Sequence, residues 1–241
     1  YEETHASTTI ETTDIFNDNS GVALYQLDGN ANDTGGVNGK FGSAAIFNGS
    51  SSSISTSYTI PAISTQSISL WFKTSSTGAY RTLFSDAPSN GAAVNTRMQL
   101  YITPTSTFDI IIGNNSSYWI GSSNSISSYI DGNWHNIVIT YSGTDVKSYI
   151  DGSLFQSFTS TVAFGTAGNQ SLVFGKAGLN NVNYWNGSID QVRIYDTALS
   201  STDVSNLYNE TNVPTTNLVA HYKLDGDARD EQQLYDGTAT N

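Results

Sequence analysis

Four residues in one short turn, Asp28, Gly29, Asn30 and Asp33, bring side-chain and carbonyl oxygens close enough to surround one hard cation. Calcium takes six to eight such oxygens at about 2.3–2.6 Å. The plain alternative is a solvated turn whose Asp and Asn side chains bond their own backbone. Two other stretches carry a different chemistry. Asn114-Asn115-Ser116-Ser117-Tyr118-Trp119 and Asn180-Asn181-Val182-Asn183-Tyr184-Trp185 each run through Asn into a Tyr-Trp pair. Flat rings stack on the C–H faces of sugars while amides bond the hydroxyls. Tyr118, Trp119, Asn183, Tyr184 and Trp185 are therefore candidate ligand-binding residues, with Tyr80-Arg81 as a sparser third stretch. Most tryptophans of a β-sandwich lie inward. Strand alternation would then turn Tyr118 and Tyr184 outward, which makes the tyrosines the better ligand contacts.

Other chemistries are hard to build from these residues. No Glu lies between Glu11 and Glu210, so a hydrolase pattern of closely spaced glutamates cannot form in the body of the chain. Glycoside hydrolysis needs two carboxyl groups about 5–9 Å apart, and the visible Asp cluster suits a cation better. The three histidines, His5, His135 and His221, are too scattered for a zinc triad, and cysteine is absent. No serine stands in a nucleophile elbow. A net charge of -12 with nine Lys+Arg repels a phosphate backbone, so nucleic acid is not expected as a partner. No apolar run reaches the roughly 18 residues that span a bilayer, so membrane insertion is not expected either. The chain opens on Tyr1 and reads as a portion of something longer.

The elements that must position these residues are short strands. Only 12% of residues are charged, while Ser, Thr, Asn and Gly are abundant, a balance that favours β-edges and turns. Alternating runs such as Ile68–Phe72, Met98–Ile102 and Phe108–Ile112 recur every 8 to 12 residues or so, the spacing of a sandwich. Others follow at Trp134–Tyr141, Val146–Ile150, Leu154–Phe158, Leu172–Phe174 and Ile189–Tyr195. Asp151-Gly152 between two such runs predicts a type I′ hairpin, and Asp131-Gly132 a second tight turn. One helix is expected from Ser200, with Asp203 closing a capping box and Val204, Leu207 and Tyr208 on one face.

The chain also repeats itself. Tyr25-Gln26-Leu27-Asp28-Gly29-Asn30-Ala31-Asn32-Asp33 returns, 197 residues on, as Tyr222-Lys223-Leu224-Asp225-Gly226-Asp227-Ala228-Arg229-Asp230. The expected layout is a linker over 1–20, a sandwich over 21–211, a join over 212–217, and the start of a second, truncated repeat over 218–241.

Three stretches resemble the laminin G-like jelly-roll family, relatives of the pentraxins and the concanavalin A-like sandwiches. They are Tyr25–Asp33, Gly132–Gly152 with its Trp134-His135 strand, and Gly187–Tyr195 followed by Ala198-Leu199-Ser200 and Leu207-Tyr208. Asn136 stands where many relatives carry a second His. The resemblance implies an all-β antiparallel sandwich with one short C-terminal helix. It adds Asp190 to the calcium ligands, on a strand expected to pass near the Asp28 turn, and makes His135 a hydrogen-bonded sheet residue. Its Thr-rich lead and tandem arrangement also resemble modules of phage fibre and decoration proteins. The functional expectation is a non-catalytic, calcium-stabilised module of an extracellular, cell-surface or virion protein that binds a glycan or another cell-surface ligand. Neighbouring repeats of the same chain are expected partners, and homo-oligomers fit the same reading. A structural spacer without its own ligand is the alternative, and a glycoside hydrolase the remote one.

Overall fold

The alternating runs become strands in which every second side chain is apolar and turned inward. In the computed structural model the described residues are 37–61, 65–87, 95–114, 116–163, 170–178, 182–225 and 227–240. Among them the strands are β1 (Val37–Asn38), β2 (Ser43–Asn48), β3 (Ser53–Thr59), β4 (Thr65–Lys73) and β5 (Arg81–Ser85). They continue as β6 (Met98–Ile102), β7 (Thr107–Gly113), β8 (Tyr118–Ser125), β9 (Trp134–Ser142) and β10 (Asp145–Ile150). The last are β11 (Ser153–Thr159), β12 (Ser171–Phe174), β13 (Asn186–Tyr195), β14 (Leu218–Tyr222) and β15 (Gly237–Thr240).

Two antiparallel sheets result. An eight-stranded sheet runs β1-β2-β13-β4-β9-β10-β11, with β14 also paired to β13, and a seven-stranded sheet runs β15-β3-β12-β5-β6-β7-β8. The core lies between them, built from Ile68, Leu70 and Phe72 of β4 and Ile137, Ile139 and Tyr141 of β9 against Met98, Leu100 and Ile102 of β6 and Phe108, Ile110 and Ile112 of β7. Phe72 anchors it, edge-on to Phe108 at 5.7 Å and to Trp185 at 6.1 Å between ring centroids. Such edge-to-face pairs add about 0.5–1.5 kcal/mol beyond the area they bury.

The expected helix forms as α1 (Ser201–Asn209). The Ser200 side chain accepts from the Asp203 N–H, and the Asp203 carboxylate accepts from the Ser200 N–H. Its Val204 and Leu207 pack with Leu199 over Val138, Tyr149 and Tyr195, the outer face of the eight-stranded sheet. This explains why β9 is apolar on both faces, since Ile137 and Ile139 serve the core and Val138 serves the helix. Tyr208 stacks on Trp71 at 5.6 Å.

The hairpin also forms as expected. Asp151 and Gly152 both take positive φ, 49° and 77°, the pair a type I′ turn requires. Gly132 has φ 81°, and what precedes that turn is a 3-10 helix over Ser127–Tyr129 rather than a strand. Residues 218–240, placed by sequence at the head of another repeat, supply β14 along β13 and β15 along β3.

Candidate functional site

Alternation that fills the core leaves the other half of each strand on the outer face of the seven-stranded sheet. There Tyr101 of β6 stands between Thr82 of β5 and Asp109 of β7, and Asp109 stands opposite Ser122 of β8. Tyr101 Oη donates to Asp109 Oδ2 at 3.2 Å, and Thr107 Oγ1 donates to Asp109 Oδ1 at 3.3 Å. Burial, reinforced by the Asp109 charge, pushes the Tyr101 phenol well above its ordinary pKa, so it stays a donor. Tyr80 is 50% exposed and leans on Tyr101, with ring centroids 5.9 Å apart.

The segment ending in Trp185 is fastened beside this pair. The Thr82 N–H donates to the Asn183 carbonyl at 2.8 Å, and Arg81 Nη1 donates to the carbonyls of Tyr184 at 3.1 Å and Gly49 at 3.3 Å. Asn183 has φ 55°, a left-handed conformation that Asn tolerates better than most residues. Tyr80, Tyr101, Asp109, Asn183 and Tyr184 thus gather where β5 begins, a set of rings and polar groups able to stack on and bond a sugar. Tyr101 and Asp109 were not picked out by sequence. The signal was there, because two alternating runs joined by the short Thr103–Ser106 turn place them opposite each other.

The two Tyr-Trp stretches do not converge. Tyr118 pairs with Gly113, four residues along β7 from Asp109, which is about 14 Å at the rise of a strand. It therefore lies toward the opposite end of the sheet from Tyr184. Tyr118 is 49% exposed and shares its outer face with Ile120 at 43%. Trp119 points the other way, half-buried against Phe158 at 5.7 Å. Trp185 is wholly buried in the core, its Nε1 directed at the Ser188 carbonyl.

On the eight-stranded sheet, Asp190 sits at an irregularity where the pairing of β13 with β4 slips, and Gln191 has φ 49°. Such bulges re-aim side chains. Asp190 is fully buried, its Oδ2 accepts the Lys40 and Phe41 N–H groups at 2.7 and 3.1 Å, and its Oδ1 has no hydrogen-bond partner. Burial raises its pKa to about 7, and the charge of Asp225 pushes the same way against the backbone N–H groups. Asp225 Oδ1 accepts the Ser43 N–H at 2.6 Å, so one loop, residues 39–43, joins the two carboxylates. Gly42 in that loop has φ 67°, and a Cβ there would lie 2.5 Å from Asp225 Oδ1.

The other expected ligands, Asp28, Gly29, Asn30 and Asp33, lie outside the described residues. Asp225 is the counterpart of Asp28 in the internal repeat. An unpartnered buried carboxylate oxygen beside a second carboxylate fits a hard cation in kind. Among the described residues no three His, Cys, Asp or Glu side chains are grouped so as to hold a metal ion, so the remaining oxygens would be backbone or water.

His135 lies between two carboxylates, Nδ1 2.8 Å from Asp151 Oδ2 and Nε2 3.1 Å from Asp131 Oδ1. It ties the start of β9 to the hairpin turn, where Asp151 Oδ1 also accepts the Asn136 N–H at 2.9 Å. Glu210 and Glu231 are engaged with Arg193 and Lys223 at 3.0 and 3.1 Å. Among the described residues, no helix is long and apolar enough to cross a membrane.

Solved structures share this fold at low sequence identity. A heptameric SAP-like pentraxin from Limulus polyphemus is 20% identical, with 70% of this chain and 83% of that one covered at a TM-score of 0.53. The CBM40 domain of the Ruminococcus gnavus IT-sialidase, bound to α2,3-sialyllactose, is 15% identical over 61% of this chain and 83% of that one, with a TM-score of 0.52. Domain 4 of an extracellular GH43 arabinanase from Geobacillus stearothermophilus, in complex with arabinotriose, is 24% identical over 72% and 80%, with a TM-score of 0.51. No curated protein matches the chain. The family model for the concanavalin A-like lectin/glucanases superfamily, in its laminin G form, matches residues 48–205, more than half of the sequence. The chain belongs to the laminin G-like branch of the concanavalin A-like lectin/glucanase superfamily.

Proposed function

We propose that this chain is a non-catalytic carbohydrate-binding module of an extracellular or surface-displayed protein. Its glycan site is the outer face of the seven-stranded sheet around Tyr80, Tyr101, Asp109, Asn183 and Tyr184. The observation that carries this reading is the half-exposed Tyr80 ring resting on Tyr101, whose hydroxyl is held by Asp109. Tyr80 offers a stacking platform whose tilt is set from behind, and the polar neighbours offer groups for sugar hydroxyls. The sialyllactose and arabinotriose bound to two proteins of like fold support a glycan as the ligand class. Titration of the chain with those two oligosaccharides, beside a Tyr80→Ala variant, tests it. Heat of binding to at least one, lost in the variant, is expected, and wild-type binding that Tyr80→Ala leaves intact would refute the site.

Calcium belongs to this proposal as a structural ion. Asp190 Oδ1 and the Asp225 carboxylate would hold it, and it would neutralise charge at the turn that joins β1 to β2. Its expected effect is on stability rather than on sugar contact.

A structural spacer is the second reading. One observation favours it: residues 218–240, the head of another repeat by sequence, pair with both sheets of this sandwich, as copies in an array would. Covering of the Tyr80 face by a neighbouring copy would decide for the spacer.

A further inference from the structure

Charge is sparse on the seven-stranded sheet. Its strands are built mostly of Ser, Thr and apolar residues, and among the described residues they carry two charged side chains, Arg81 of β5 and Asp109 of β7. Alternation sends these two in opposite directions. Thr82 stands opposite Tyr101, and Tyr101 opposite Asp109, so the three share the outer face while Arg81, next to Thr82, turns inward. Arg81 Nη1 reaches the Gly49 carbonyl, just past β2 of the other sheet, and the Tyr184 carbonyl, which leads into the buried Trp185. Its Nε is buried without a hydrogen-bond partner. The guanidinium is thus committed to the rim between the sheets. Arg97 stands four residues before Tyr101, about 14 Å at the rise of a strand, and is 4% exposed beside Asp86, whose Oδ1 accepts its N–H at 2.9 Å.

Asp109 is therefore the charge that faces a sugar stacked on Tyr80, which rests on the very ring whose hydroxyl bonds that carboxylate. Its two oxygens each accept one bond, from Tyr101 and Thr107 at 3.2 and 3.3 Å, and each keeps a lone pair for a further donor. Tyr101 Oη has given its proton to Asp109, so toward a ligand it too can only accept. Such a face suits groups that donate. Sugar hydroxyls and ammonium groups do so, whereas carboxylate and sulfate groups only accept and bring a like charge. Asp109 is 9% exposed, and repulsion between like charges grows as water is excluded from around them. The net charge of -12 acts in the same direction over a longer range.

We propose that the Tyr80 face selects uncharged and amino sugars, and that Asp109 turns away glycans carrying a carboxylate or sulfate on the stacked residue. The inference rests on the glycan reading of this face and specifies its ligand class. Selection of this kind comes from a built-in repulsion against the wrong partner as much as from contacts to the right one.

The test is an array of neutral oligosaccharides, each paired with its sialylated, sulfated or uronic acid counterpart, probed with the full chain at low salt and at about 1 M salt, where the Debye length is about 3 Å. Neutral members are expected to bind, and their acidic counterparts to bind at least tenfold more weakly. That penalty should shrink several-fold at high salt and several-fold in Asp109→Asn, which keeps the shape and an acceptor oxygen. Asp145→Asn removes an equal charge from the exposed side of β10 in the other sheet and should leave the penalty unchanged. Should Asp109→Asn fail to fold, the salt response of the wild type decides alone. Acidic members binding as well as their neutral parents, a penalty that neither salt nor Asp109→Asn reduces, or one that Asp145→Asn reduces equally would overturn the selection and leave the glycan site standing. Absence of binding to every member would overturn the glycan reading and the selection together.

Discussion

Tyr101 Oη donates to Asp109 Oδ2 at 3.2 Å across β6 and β7, and both side chains are less than a tenth exposed although they lie on the outer face of their sheet. The bond fixes the tilt of the Tyr101 ring, and with it the surface on which Tyr80 rests.

Tyr80→Ala and Tyr101→Phe should consequently part company. Tyr80 is half exposed, so its removal should change stability by no more than about 0.5 kcal/mol while glycan affinity falls tenfold or more. Tyr101→Phe keeps the ring but strips one donor from a buried carboxylate, which should cost about 1–3 kcal/mol, with a smaller loss of affinity. Denaturant unfolding and calorimetric titration of both variants check this. Equal effects on stability would contradict it.

Trp185→Ala should behave as a core deletion. Its ring is fully buried against Phe72, and loss of such a side chain costs about 3–5 kcal/mol. Glycan affinity of the fraction that remains folded should be little changed. A stable variant that had lost only binding would return Trp185 to the ligand contacts.

Asp190 should make stability depend on pH and on calcium together. Its folded pKa of about 7 lies above the unfolded value, so the folded chain binds the extra proton. Stability therefore falls as pH rises from about 4 through 7. Buried His221, held down at about 3 mainly by desolvation, has the opposite effect below its unfolded value, and Asp86, raised to about 7, acts with Asp190. Comparison with Asp190→Asn cancels both. In chelator at pH 8 the variant should be more stable than wild type by about 2–4 kcal/mol, and at pH 4 the two should agree. Calcium should stabilise wild type above pH 7, progressively less below it, and leave Asp190→Asn unmoved. Unfolding of both chains across this range, with and without calcium, is the measurement, and a calcium response in Asp190→Asn would remove Asp190 from the site.

Local patterns carried most of the fold. The Asp151-Gly152 turn, the Ser200-Asp203 capping box and the alternation in β4, β6 and β7 each depend on residues a few positions apart, and each appears as its chemistry requires. The proposed binding face was harder to read because it depends on the order of strands. Tyr118 and Tyr184 look equivalent in sequence, yet β8 and the segment beside β5 place them at different ends of one sheet. Tyr101 and Asp109 were hidden in plain alternation, where an outward Tyr or Asp is unremarked until its cross-strand partner is known. The repeat was visible, but that Leu218–Tyr222 pairs with β13 and packs Tyr222 on Phe174 depends on residues about 30 to 50 positions away in the chain.

A broad glycan array in millimolar calcium, with wild type, Tyr80→Ala, Tyr184→Ala and Tyr118→Ala side by side, asks whether the Tyr80 face binds a glycan. Selective binding by wild type is expected, lost with Tyr80→Ala, weakened with Tyr184→Ala and kept with Tyr118→Ala. Folded wild type that binds no glycan, or binding lost only with Tyr118→Ala, would contradict it.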